Sequence, residues 1–240
     1  MNEHLEKGIA FFKKKNYVAA INSLSSAGDS LSFEENLDLA YYLGLSYSRI
    51  ERYEEALLFL EQIVTASNDV DRVNQCRLLL SVIYTKTNRI RLAEYELQKL
   101  LDIGYNPEKV YCAKAYSAWI QKNIKESLSL YEKVLEFNKE NSTALNGLSY
   151  VLATENRDLA KALTLVKDAL KVSPKSAAYL DTLGWVYYRM GLTDKAYESV
   201  KRAKEILPDN EEIASHFGEI MKMMARNREE DKISKNKELR

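Results

Sequence analysis

Hydrophobic residues recur along the chain with the period of an α-helix, and polar residues occupy the positions between them. In successive segments the apolar positions are three and four residues apart, so they line one face of a helix. One such face consists of Tyr53, Ala56, Leu57, Leu60 and Ile63. No segment keeps the strict alternation of a half-buried strand. The pattern predicts an all-α chain, with Ser32 and Asp209 as the capping residues of two helices.

Two series of small residues keep step along most of the chain. One series lies in the second helix of each predicted pair: Ala20, Ala56, Ala93, Ser127, Ala162 and Ala196, with spacings of 36, 37, 34, 35 and 34. The other lies in the first helix: Gly8, Gly44, Ser81, Ala115, Ser149, Gly184 and Gly218, with spacings of 36, 37, 34, 34, 35 and 34. A small residue lets two helices approach closely, so the series predict a repeated helical hairpin.

The hairpins resemble the tetratricopeptide repeat (TPR) family. The match is carried by Leu183, Gly184, Trp185 and Tyr187, then Ala196, Val200, Ala203 and Pro208. The stretches 144–150 and 180–185 look most like bacterial members. The resemblance implies a right-handed superhelical solenoid of antiparallel helix pairs. It places repeats at 1–34, 37–70, 74–107, 108–141, 142–175 and 177–210, with one extra residue near 156–158.

The end of the chain departs from the repeat. Residues 211–226 are predicted to form a terminal capping helix with Ile213, Phe217, Ile220 and Met224 as its apolar stripe, and the solenoid is expected to span 1–226. The charged stretch 227–240 is expected to be a frayed helix or a disordered tail.

Composition narrows the classes of function. Lys+Arg and Asp+Glu are 35 each, so the basic excess of a nucleic-acid binder is missing. No apolar run is long enough to span a bilayer, and the first residues lack the order of a signal peptide. Cys76 and Cys112 form no CxxC pair and are expected to be reduced and packed. We expect a cytoplasmic protein, or a periplasmic one if a leader has been removed.

Residues that could carry catalysis are scarce. The two histidines, His4 and His216, lie near opposite ends, and neither a glycine-rich phosphate loop nor a nucleophile elbow is present. His216 is expected to be half-exposed. We therefore expect no catalytic residue, no metal site and no cofactor.

In the resembled family the first helices line a concave groove that holds a partner. Carrying the groove positions onto this sequence gives the partner-binding set Tyr41, Leu45, Arg49, Val82, Tyr116, Trp119, Asn146, Tyr150, Asp181, Trp185, Tyr188 and Arg189. Its aromatic residues are typical of binding hot spots, although several could instead pack between neighbouring repeats. Clamps for chaperone tails need Lys and Asn where this chain has Leu5 and Ile9, so a co-chaperone of that type is not expected.

Two functions follow from this set. The first is an adaptor that binds a peptide or helical segment of a partner protein in the groove, where Trp119 and Trp185 are expected to be exposed. The alternative is a structural subunit of an envelope or secretion complex, acting through its convex face or through self-association of residues 211–240.

Overall fold

The computed structural model describes residues 2–28 and 31–238, with side chains through residue 230. These residues form thirteen helices and no strand, which confirms the all-α prediction. The chain divides into two compact units, Met1–Ile120 and Gln121–Arg240.

Unit 1 is built from helical hairpins joined end to end. Its helices are α1 (Glu3–Lys13), α2 (Tyr17–Ser25), α3 (Phe33–Arg49), α4 (Tyr53–Ala66), α5 (Val70–Lys86), α6 (Ile90–Asp102) and α7 (Pro107–Ile120). α1 packs on α2, α3 on α4 and α5 on α6, and each second helix also contacts the first helix that follows it. The paired order that the small residues predict is confirmed within this unit.

Unit 2 repeats the arrangement. Its helices are α8 (Ile124–Phe137), α9 (Ser142–Thr154), α10 (Leu159–Val172), α11 (Ala177–Arg189), α12 (Thr193–Ile206) and α13 (Glu211–Glu238). α9 pairs with α10 and α11 with α12, while the first helix α11 contacts both α9 and α13. The boundary between the units falls inside the predicted repeat 108–141, so a single solenoid over 1–226 stays a prediction.

The small residues mark the close crossings within each hairpin. A Cβ added to Gly44 would lie 2.9 Å from Cδ2 of Leu60, and one added to Gly184 would overlap Cγ2 of Val200. A larger residue at either position would push the two helices of the hairpin apart. Gly218, the last member of the series, differs because a Cβ there would have no neighbour within 4 Å.

A left-handed residue recurs in the turn between the helices of each hairpin. These residues, with φ between 54° and 75°, are Lys15, Glu51, Asn88, Asn156 and Gly191. The α9–α10 turn holds a second one, Asp158, at φ 34°. Its carboxylate accepts a hydrogen bond from the backbone N–H of Lys161 at 3.0 Å. The extra residue predicted near 156–158 is therefore absorbed where the turn becomes a helix cap.

Helix starts follow the capping signals, with one correction. The hydroxyl of Ser32 accepts from the backbone N–H of Glu35 at 3.2 Å, and the Glu35 carboxylate accepts from the Ser32 N–H at 3.0 Å. At α13 the cap is Asn210, whose side chain accepts from the backbone N–H of Ile213 at 3.0 Å. Asp209 was predicted for this role and lies one residue too early.

The terminal helix α13 is part of the core of unit 2. Ile213 and Ile220 are buried against Ala203 and Val200 of α12, with Phe217 and Met224 partly buried beside them. α13 continues past 226 to Glu238, and the frayed or disordered tail over 227–240 stays a prediction. The last two of those residues lie outside the described part of the chain.

Two further expectations concern the cysteines and the membrane. Cys76 and Cys112 are buried and free of disulfides. Burial raises the pKa of each thiol to about 12, so both remain protonated near neutral pH. Among the helices in the described part of the chain, none combines the length and the apolar character needed to cross a bilayer.

Candidate functional site

The predicted partner-binding residues all lie on first helices, and they divide between the two units. Those in unit 1 are Tyr41, Leu45 and Arg49 on α3, Val82 on α5, and Tyr116 and Trp119 on α7. Those in unit 2 are Asn146 and Tyr150 on α9, and Asp181, Trp185, Tyr188 and Arg189 on α11. A single groove that contains the whole set stays a prediction.

In unit 1 the polar groups of α3 and α5 are bonded to one another. The hydroxyl of Tyr41 donates to Oε1 of Gln75 at 2.8 Å. The guanidinium of Arg72 lies 5.1 Å from the centre of the Tyr41 ring and bonds Oδ1 of Asp38 at 2.5 Å. We call these four residues the unit 1 face. Its main polar groups are already satisfied within the chain.

The other predicted residues of unit 1 vary in exposure. Leu45 and Val82 are half-buried and pack against the hydrophobic core, while Arg49 is exposed. Tyr116 and Trp119 are also half-buried, with ring centres 6.1 Å apart. Leu5, which stands at a family groove position, is fully buried.

In unit 2 the first helices meet around a buried ion pair. Nδ1 of His216 on α13 bonds Oδ2 of Asp181 on α11 at 2.8 Å, and the two side chains are only 8% and 6% exposed. The expectation that His216 is half-exposed is wrong, because α13 turns this side chain towards α11 rather than towards solvent. The pair joins the terminal helix to the last hairpin.

Trp185 is enclosed by its neighbours. Its ring stacks on His216 at a centre-to-centre distance of 4.3 Å and on Tyr188 at 5.0 Å. Its indole N–H donates to the hydroxyl of Thr154 at 3.1 Å. The side chain is 7% exposed, so the predicted exposure of Trp185 is wrong. Thr154 lies on α9 of the preceding repeat, and His216 lies on α13, the helix that follows the last repeat.

Tyr150 closes the cluster on the α9 side. Its hydroxyl donates to Oε1 of Glu212 on α13 at 2.8 Å, and its ring centre lies 6.1 Å from that of His216. Burial and the nearby Glu212 carboxylate raise the pKa of the Tyr150 phenol. We call the surface formed by α9, α11 and α13 the unit 2 face; its members are Asn146, Tyr150, Thr154, Asp181, Trp185, Tyr188, Glu212 and His216.

The electrostatics of the unit 2 face favour positive charge. Burial opposes the charge on His216, but the hydrogen bond and the charge of Asp181, with Glu212 and Glu219, outweigh it and raise the pKa of the imidazole. Burial also raises the pKa of Asp181, despite the opposing effect of His216. Both groups of the pair therefore hold protons more tightly than in water.

Two acceptor oxygens of this face are buried without a donor. Oδ1 of Asp181 and Oδ1 of Asn146 have no hydrogen-bond partner within the described part of the chain. Leaving such a group unpaired costs about 1–3 kcal/mol, and more when the group is charged. Unsatisfied buried groups of this kind are rare in folded proteins, so they require an explanation.

The sequence interpretation missed Glu212 and His216 as members of the face, whereas Thr154 stands at a family groove position. A signal was present for one of them, because His216 follows Asp181 by 35 residues, about one repeat length. Thr154 lies four residues after Tyr150 and so shares its side of α9. Among the described residues, no group of three or more His, Cys, Asp or Glu side chains is placed to hold a metal ion.

The helix pairs and their close crossings define a class of protein, the α-helical hairpin repeat. The sequence profile of the tetratricopeptide repeat family matches residues 108–141. A TPR repeat-containing protein of Pseudomonas aeruginosa is 35% identical over 99 residues, which is 40% of this chain and 17% of that protein. Residues 108–141 therefore match one repeat of this family, and the chain is similar to proteins that contain such repeats. It spans less than half the length of the curated relatives it matches.

Solved structures share the fold at low sequence identity. A tetratricopeptide repeat protein from Parabacteroides merdae has a TM-score of 0.68 and 14% identity, covering 91% of this chain and 98% of that one. The Rap conjugation gene regulator of plasmid pLS20, solved with the Phr* peptide, has a TM-score of 0.71 and 19% identity, covering 90% of this chain and 67% of that one. At these identities the likeness supports the fold alone.

Proposed function

We propose that this protein is a protein–protein interaction scaffold that binds a peptide or helical segment of a partner at the unit 2 face. The observation that carries the proposal is the pair of buried acceptors, on Asn146 and Asp181, beside the half-buried rings of Tyr150 and Tyr188. Aromatic rings supply contact area, and unpaired acceptors gain a hydrogen bond only when a ligand arrives.

The fold is compatible with this use. The structure of the Rap regulator contains a bound peptide, and its fold is similar to that of this chain. Binding of a segment needs no catalytic group, and the absence of enzymatic activity and of cofactors stays a prediction.

The experiment compares two positions by site-specific photo-crosslinking in the cell of origin. A photoreactive phenylalanine analogue replaces Tyr188 on the unit 2 face or Leu58 on α4, which is 67% exposed and serves as the matched control. A partner crosslinked from position 188 and not from position 58 supports the proposal. With that partner purified, Tyr188→Ala should weaken binding by about tenfold or more, and Leu58→Ala should not.

The second candidate is a structural subunit that acts through its second helices. It is favoured by exposed apolar side chains on α2, α4 and α6, namely Val18, Leu58, Leu92 and Tyr95. Crosslinking from position 58 alone would support this candidate and contradict the first.

Self-association through 211–240 is less favoured than the sequence suggested. The stripe from Ile213 to Met224 that motivated it already packs against α12 within the chain. Self-association and a role in an envelope or secretion complex stay predictions, and the mass of the protein in solution tests the first of them.

A further inference from the structure

Two buried acceptor oxygens of the unit 2 face lack a donor among the described residues. The phenol of Tyr150 donates to Glu212 and the indole of Trp185 donates to Thr154, so both of these donors are used. Oδ1 of Asp181 and Oδ1 of Asn146 have no donor within the described part of the chain. A ligand that complements this face must therefore bring hydrogen-bond donors.

The charges on the same face point to the sign of the ligand. Glu212 and Glu219 add their carboxylates to that of Asp181, and together they act on His216. α9 carries no charged residue along its length. The guanidinium of Arg189 lies 6.0 Å from the Trp185 ring, at the end of α11. Carboxylates outnumber cations here, and the neighbouring aromatic rings also attract positive charge.

We propose that the unit 2 face binds a lysine or arginine side chain of the partner segment, with Oδ1 of Asp181 and Oδ1 of Asn146 as its acceptors. This inference rests on the proposed function and specifies its ligand. The long apolar stem of either side chain packs against the rings of Tyr150 and Tyr188, while the charged tip reaches the buried oxygens.

The position of the two acceptors supports a shared ligand. Asn146 and Asp181 occupy equivalent places in successive repeats, on helices that contact each other. Asp181 is 4% exposed and keeps only Oδ2 engaged with His216, so its second oxygen remains for the ligand. A donor with several N–H groups is suited to both oxygens.

The test begins with a random peptide library displayed on phage and selected on the full chain. The selected peptides are synthesised, and their affinity is measured by fluorescence anisotropy. We expect them to share a lysine or an arginine. Replacing it by norleucine or citrulline, which removes the charge, should weaken binding to the wild type by about tenfold or more.

Two variants examine the acceptors separately. In Asp181→Asn the charged and neutral peptides should differ by less than about threefold. Asn146→Leu should reduce the same difference while leaving the Asp181–His216 pair in place, so it remains informative if Asp181→Asn fails to fold. Because its amide oxygen is unpaired, Asn146→Leu should be as stable as the wild type. The matched control is Asp38→Asn on the unit 1 face, which should retain the full difference.

The outcomes separate this inference from the proposed function. If Tyr188→Ala weakens the selected peptides but they carry no basic residue, the ligand class is wrong and the proposed function stands. Retention of the full charge dependence in both acceptor variants would also overturn the inference. If no peptide is selected, or none responds to Tyr188→Ala, the proposed function itself fails.

Discussion

The unit 1 face and the unit 2 face are built from first helices of the same repeat, yet they treat their polar groups in opposite ways. In unit 1, Arg72 and Asp38 come from neighbouring helices and neutralise each other, and Tyr41 donates to Gln75. In unit 2, Asp181 is engaged on one side only, and Asn146 keeps a buried oxygen unpaired. Equivalent positions in a repeat therefore do not imply equivalent roles.

This difference in hydrogen bonding indicates which face of such a chain is better suited to bind a ligand. A face whose polar groups are mutually satisfied gains little when a ligand arrives, because existing hydrogen bonds must first be broken. A face that holds unpaired acceptors is less stable alone and gains more on binding. We expect mutations to affect stability and binding differently in the two units.

The largest expected effect is on stability, at the enclosed tryptophan of unit 2. Trp185→Ala removes a buried ring that stacks on Tyr188 and on His216, so it should lower the free energy of unfolding by about 3–5 kcal/mol. Tyr41→Ala on the half-buried unit 1 face should lower it by about 1 kcal/mol. Urea unfolding followed by circular dichroism measures both. Equal losses would remove the contrast between the faces.

The second largest expected effect is the difference in stability lost when the ion pair of each face is broken. Asp181→Ala leaves His216 buried without its partner and should lower the free energy of unfolding by about 2–3 kcal/mol, since the imidazole can relieve part of the penalty by losing its proton. Asp38→Ala breaks a partly exposed pair with Arg72 and should lower it by at most about 1 kcal/mol. A larger loss at Asp38 in urea titrations would contradict the comparison.

A pH dependence should belong to unit 2. The pKa of His216 is raised above its ordinary value of 6.5, so its contribution to stability is complete below that value and is lost as pH rises through the folded pKa. The raised pKa of Asp181 acts in the same direction above its ordinary 3.8. The urea midpoint should fall from about pH 6 to about pH 9 in the wild type, and this fall should shrink in His216→Gln.

The control for this pH series is His4→Gln, which replaces the exposed histidine of α1 and should keep the wild-type slope. An unchanged slope in His216→Gln would show that the buried pair does not couple stability to pH.

The smallest expected effect is a gain in stability from a substitution in a hairpin turn, and it can be compared between the two units. Glu51 in unit 1 and Asn156 in unit 2 both have positive φ, at 60° and 54°. Glycine adopts this region without strain, and asparagine tolerates it better than glutamate. Glu51→Gly should raise the free energy of unfolding by about 0.5–1 kcal/mol, and Asn156→Gly should change it less. Thermal melting distinguishes them, and an equal gain would show that asparagine is as strained as glutamate at this position.

Much of the fold could be predicted from the sequence because helix pairing depends on local patterns. Gly44 and Gly184 indicated the close crossings of the helices, since only a small residue fits where Leu60 or Val200 approaches. The hairpin turns were harder to predict in detail. Lys and Glu rarely adopt positive φ, so nothing about Lys15 or Glu51 indicated that they would hold the left-handed position.

The candidate site could be predicted only in part. The helices that carry it followed from the repeat, and Tyr150 and Asp181 are members of the face. The burial of Trp185 could not be predicted from its own repeat, because the ring that covers it belongs to His216 on α13. The free oxygen of Asp181 depends on the same side chain, since His216 engages only its other oxygen. Contacts between repeats decide such details, and the repeat pattern does not encode them.

The left-handed turn residue also bears on how such a chain can grow. Its backbone geometry is held at the same place in each hairpin whether the side chain is Lys, Glu, Asn or Gly. A gene duplication whose ends fall at this residue would return the chain to the same geometry and leave the helices in register. Gly191, where glycine accepts positive φ without strain, is the natural joint for an engineer who wishes to insert or remove a whole hairpin.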